Sequence, residues 1–149
     1  MKLHIDYDDD YPDPDITIRA AKDSPALAAL LARLQPQPKT LAVFQGNREH
    51  FLPLADILFI ETAERTLQVH TKTDIYVMHT SLASAAAMLP PTFQQIAKST
   101  IVNLDAVSAV ERAIANCAVS FYDSYKQVYA SRRYYKQLLR RLEETRSPS

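Results

Sequence analysis

At 149 residues, with 47% apolar and 23% charged side chains, the chain can bury a sizeable core and has the balance of an ordinary globular domain. No apolar run is long enough to span a bilayer, and the acidic N-terminus lacks the basic-then-apolar order of a secretion signal, so a soluble, cytoplasmic protein is expected. The single cysteine, Cys117, excludes an internal disulfide and a cysteine-based zinc site, and the single glycine, Gly46, excludes a glycine-rich phosphate loop, a dinucleotide fingerprint and a glycine-flanked serine elbow.

Lys plus Arg and Asp plus Glu both number 17, for a net charge of zero, yet the two ends are opposite in sign. Asp6, Asp8, Asp9, Asp10, Asp13 and Asp15 face Lys2 alone, whereas Lys126, Arg132, Arg133, Lys136, Arg140, Arg141 and Arg146 outweigh Glu143 and Glu144. Charges are screened over about 8 Å at physiological salt, so a local basic surface matters more than the total. Both runs can also be read as solvated faces.

In chain order, residues 2–7 and 16–19 alternate apolar and polar side chains around an Asp/Pro-rich break, which predicts two short strands. Ser24 is placed to cap a helix with Pro25 at its first position. Its stripe Leu27, Leu30, Leu31 and Leu34 predicts a packed helix, ended by Pro36 and Pro38. From Leu41 the pattern becomes short β-type runs at 41–45, 51–54, 57–62, 67–71, 75–79, 101–104, 118–122 and 127–130, close enough for antiparallel strands with tight loops. One helix interrupts them, from the cap Ser81 through Leu82, Ala85, Ala86 and Leu89 to Pro90-Pro91. A last helix is expected over 132–144, with Ser131 as cap and Tyr135, Leu138, Leu139 and Leu142 as its buried stripe, before a frayed tail. With one glycine available, turns that need positive φ must use Asn, Asp or another residue at some cost.

Little in the chain points to catalysis or metal binding. His4, His50, His70 and His79 fall on separate strands or their ends and are read as surface or partly packed strand histidines, and Cys117 beside Ala118 and Val119 as a buried filler. The aspartates of 6–15 lack the glycine-centred spacing of a calcium loop. Lys98, Ser99 and Thr100 have no oriented base or oxyanion hole nearby, so no enzyme, cofactor or metal is expected.

The same residues suit a polyanion. Lys98 can neutralise a phosphate or reach a base edge and the hydroxyls of Ser99 and Thr100 can donate to phosphate oxygens, although the segment can equally be a polar turn capping a strand. Arg132 and Arg133 open the last helix, where free backbone N–H groups already favour anions and a guanidinium can grip phosphate or guanine through paired hydrogen bonds. Arg133, Lys136 and Arg140 recur on the face opposite the leucines, a face that can follow a DNA backbone or serve as a soluble exterior.

Four ordered segments carry a resemblance: Asp56-Ile57-Leu58-Phe59-Ile60-Glu61, Ser81-Leu82, the run 93–104 that fits F-x-x-I-x-K/R-S-x-I-V-N-L, and Ser131-Arg132-Arg133-Tyr134. In these the chain resembles the LytTR family of bacterial DNA-binding domains over about residues 41–142. The resemblance implies a mainly β, elongated antiparallel fold of LytTR type, preceded by a short β-α extension (1–40), with the DNA-binding domain over 41–145 and a frayed tail over 146–149. Its loops would enter successive major grooves of double-stranded DNA through Glu64 and Arg65, through Lys98-Ser99 and through Arg132, while Asn103 fixes the backbone after the central motif. The implied role is a sequence-specific transcriptional regulator acting as a homodimer on repeated half-sites. About forty residues precede the domain, too few for a receiver, as in a branch of the family often found alongside a small membrane protein. Two departures stand out: Tyr122-Asp123-Ser124-Tyr125 replaces the family's Asn-Gly or Asp-Gly hairpin, and Glu64 puts an acid where DNA prefers a donor. The rival expectation is a protein-protein interaction module that docks a membrane or cytoplasmic partner through the acidic N-terminus and exposed strand edges.

Overall fold

The computed structural model describes residues 3–34 and 39–146, with side chains described through Glu144, and the chain divides into two compact units, 1–37 and 38–149. In the first unit, α1 (Pro25–Leu34) starts as its sequence predicts, with the Leu27 N–H donating to Ser24 Oγ at 3.3 Å. The expected packing does not follow. Leu31 and Leu34 are exposed and the helix buries no residue. Nor do strands form in residues 3–23: Leu3, Ile5, Tyr7 and Ile16 alternate correctly but lie exposed with no partner backbone, and without a ladder the alternation yields no strand. Lys2 lies outside the described residues.

The second unit contains a seven-stranded and a three-stranded antiparallel sheet. The strands are β1 (Thr40–Gln45), β2 (Arg48–Pro53), β3 (Phe59–Ala63), β4 (Thr66–His70), β5 (Ile75–Met78), β6 (Phe93–Ala97) and β7 (Thr100–Asn103), then β8 (Val107–Arg112), β9 (Asn116–Phe121) and β10 (Gln127–Ser131). Helix α2 (Leu82–Met88) precedes β6 and α3 (Arg132–Arg146) follows β10. The larger sheet runs β2-β1-β5-β4-β3-β7-β6 and the smaller β10-β9-β8. Ser81 caps α2 by accepting from the Ser84 N–H at 3.1 Å.

Two cores flank the larger sheet. Val43, Ile60, Val69 and Ile101 point to the face that α2 covers with Leu82 and Ala85. Phe59, Ile96 and Val102 point the other way and pack with Val119, Phe121 and Val128 of the smaller sheet and Leu138 and Leu142 of α3. Successive residues of β3 and β7 therefore enter opposite cores, which explains the continuous apolar run through Ile57-Leu58-Phe59-Ile60.

β6 and β8 lie beyond the strands expected from the sequence. Both are sheet edges with register irregularities, between Gln95 and Ala97 and between Val107 and Ala109, and their Gln, Ser, Glu and Arg residues blur the two-residue period. The last helix extends through Arg146, so Thr145 and Arg146 are helical instead of frayed; residues 147–149 lie outside the described residues. Among the described residues no helix is long and apolar enough to cross a membrane.

Candidate nucleic-acid interface

Three corners hold the basic side chains. The first is the turn Ala63-Glu64-Arg65-Thr66 between β3 and β4, closed by Ala63 pairing with Thr66 and by Thr66 Oγ1 donating to the Ala63 carbonyl at 3.1 Å. Glu64 takes φ +56°, left-handed backbone that glycine would occupy without steric cost, and both Glu64 and Arg65 are exposed.

The second corner, Lys98-Ser99, joins β6 to β7. Because β7 runs antiparallel beside β3 with Glu61 opposite Thr100, this turn lies at the same end of the sheet as the first. A backbone bond binds them, the Thr62 N–H donating to the Ser99 carbonyl at 2.9 Å. Lys98 and Ser99 face solvent, but Thr100 is only 7% exposed, with Oγ1 3.4 Å from Ser99 Oγ. Its expected hydroxyl contact with phosphate is therefore corrected: register turns Thr100 inward, and the residue anchors the corner.

The third corner is the passage from Ser131 to Arg132. Arg132, Arg133 and Lys136 are exposed on the first turns of α3, and the Arg133 guanidinium lies 5.8 Å from the centre of the Tyr134 ring. The opposite face of α3 is fixed by buried Leu138 and Leu142, and Arg141 donates to the Pro91 carbonyl and to Gln94 Oε1. Among the described residues no ion pair involves Arg65, Lys98, Arg132, Arg133 or Lys136. Their charge is available to a ligand.

Asn103, expected to fix the backbone, is 3% exposed; its Nδ2 donates to the Ile57 carbonyl at 2.9 Å and the Leu54 carbonyl at 3.4 Å, while Oδ1 accepts from the Asp105 N–H. Cys117 is buried, and burial pushes its thiol up, away from the nucleophilic thiolate.

A polar network behind the corners has no signature in the sequence. Lys126 Nζ donates to His70 Nδ1 at 3.3 Å and to the Thr71 carbonyl at 2.9 Å, which places the ring proton on Nε2, donated to Glu61 Oε1 at 3.0 Å. Phe59 stacks on the imidazole with centroids 4.2 Å apart and on Phe121 at 5.3 Å. Burial lowers the His70 pKa, Glu61 opposes that shift and Lys126 adds to it, so the ring is held neutral. Glu61 and His70 belong to the larger sheet and Lys126 to the approach to β10, so the network ties the two sheets together. Only strand register could have revealed it, since Lys126 is 56 residues from His70.

No curated protein matches the chain. A solved structure, the LytTr DNA-binding domain of a Bacillus cereus protein assigned as a methyl-accepting/DNA response regulator, is similar in fold, with a TM-score of 0.65 and 17% identity over 70% of this chain and 97% of that one. The family model described as the LytTr DNA-binding domain matches residues 47–143, which take in all three corners. With that match spanning well over half of its length, the chain belongs to the LytTR family of DNA-binding domains.

Proposed function

We propose that the chain regulates transcription by binding double-stranded DNA sequence-specifically, residues 41–145 forming the DNA-binding domain and its corners entering the major groove. The observation that carries this reading is the pairing of two solvent-facing turns at one sheet end, cross-tied at Thr62 and Ser99, with Arg65 and Lys98 free of ion pairs among the described residues. Arg132 fits the same surface. Arg141 holds the start of β6 through Pro91 and Gln94, and α3 packs along β6. The nine-residue rise back to Arg132 is ~13 Å, about the length of β6 from Gln94 to Lys98. With α3 running antiparallel to β6, that rise would bring Arg132 toward the Lys98 end.

In this reading Lys98, Ser99, Arg133 and Lys136 meet backbone phosphates and position the protein, while Arg132, with Arg65 beside Glu64, reaches base edges. A homodimer on repeated half-sites would double the contact. The exposed Leu3, Ile5, Tyr7 and Ile16 of the N-terminal unit favour a protein partner for that segment, a small membrane protein among the candidates.

Duplexes selected from a random pool provide the test. Arg132→Ala weakens the selected site by ~1–3 kcal/mol and relaxes its sequence preference, whereas Lys98→Ala lowers affinity evenly across sequences and reduces the salt slope by about one unit. Wild-type affinity in both variants would overturn the assignment.

A further inference from the structure

Resting on that reading, we infer a fourth DNA contact at the tip of the β8–β9 hairpin, where Arg112 meets a backbone phosphate and Ile114 packs on deoxyribose in the wall of the groove that Arg132 enters. Register places the tip. Ser131 pairs with Asn116 and Arg112 with Cys117, and the Ala113 N–H closes the hairpin onto the Asn116 carbonyl at 2.9 Å. The hairpin therefore turns beside the end of β10 from which the chain passes to Arg132.

Distance decides what the tip would touch. Neighbouring strands lie ~4.8 Å apart, so a tip formed by β8 and β9 sits ~5–10 Å to the side of the β10 end. The major groove is ~12 Å wide, which puts an element so displaced on the groove wall, against sugar and phosphate, and away from the base edges. The side chains suit a wall. Ile114 is 94% exposed and its neighbours Ala113 and Ala115 are small and exposed, so a slim apolar tip can come close to a surface. Arg112 is exposed and has no ion pair among the described residues; strand alternation sends Glu111 to the opposite face.

Arg112→Ala, Ile114→Asp and Arg132→Ala, each in the full chain, should be titrated against one selected duplex at several salt concentrations. Arg112→Ala is expected to lower affinity several-fold for all duplexes alike and to reduce the log–log salt slope by about one unit, as loss of one phosphate contact requires. Ile114→Asp, which brings a carboxylate against the phosphates, is expected to weaken binding at least as much, with an unchanged thermal melt because the tip is exposed. Wild-type affinity and slope in both variants, with Arg132→Ala still weakened, would overturn the fourth contact and leave the three-corner reading standing. A change in self-association on sedimentation with an unaltered salt slope would overturn it in favour of a second copy of the chain. A wild type that binds no duplex would overturn both readings.

Discussion

Replacing Asn103 by alanine separates a structural strut from a DNA contact within the 93–104 run that carries the resemblance to the family. The Asn103 amide is the side-chain donor to the carbonyl of Ile57, a residue with no exposed surface, and also donates more weakly to Leu54. Alanine leaves the Ile57 carbonyl unpaired where water does not reach, at a cost of ~1–3 kcal/mol. Losing the longer bond to Leu54 and the acceptor for the Asp105 N–H adds ~1 kcal/mol, since Asp105 is exposed and water can replace that partner. The expected loss is ~2–4 kcal/mol, a large share of the ~5–15 kcal/mol that holds a domain folded. Urea unfolding at neutral pH should show the midpoint falling with an unchanged slope. Asn103→Asp should be worse, because a carboxylate would face two carbonyl oxygens with no proton to donate. DNA affinity of the alanine variant, measured where it remains fully folded, should match wild type. A loss below 1 kcal/mol combined with weakened DNA binding would refute the strut and make Asn103 a contact residue.

The remaining predictions concern the network behind the corners and the strained turn. His70 has a lowered pKa in the folded protein and the ordinary value of about 6.5 when unfolded, so the unfolded state binds more protons between those two values and stability rises with pH through that window. The neutral ring's contribution is complete above about 6.5 and is lost as pH falls through the lowered folded value. Urea midpoints from pH 7 to pH 5 should accordingly drop more steeply for wild type than for His70→Gln, and an imidazole titration midpoint above 6.5 would contradict the burial argument. Glu64→Gly relieves the left-handed strain of about 1 kcal/mol against an entropic cost of somewhat less, for a net gain of ~0.5 kcal/mol in urea. The same change removes an acid from the proposed interface, so duplex affinity should rise; weaker binding would mean that the Glu64 carboxylate itself is a contact.

Elements whose residues satisfy one another locally were legible in the sequence. The Ser81 cap and the Pro90 stop bound α2, and the apolar alternation of Leu67 and Val69 located β4. Residues 3–7 and 16–18 carry an equally clear alternation and form no strand, because pairing depends on a partner that local pattern cannot supply. The converse holds for β6, where Gln94-Gln95 hides a real strand that tertiary pairing with β7 creates. At the proposed interface, Lys98, Ser99 and Arg132 are legible as polar corners beside apolar anchors, and all three are exposed. Thr100 was over-read because hydroxyl chemistry is visible in a sequence and register is not. The Glu61–His70–Lys126 network escaped for that reason too, since its members meet only when β3, β4 and the segment before β10 are laid side by side.

Whether the corners at one end of the larger sheet and the start of α3 meet DNA can be read by mapping backbone amide shifts of the isotopically labelled chain as a selected duplex is added. The largest changes are expected at Glu64, Arg65, Lys98, Ser99, Arg132 and Arg133, with β1, β2 and α2 unmoved. Shifts confined to residues 3–34, or to the β1–β2 hairpin at Gly46, with Lys98 and Arg132 unmoved, would contradict it.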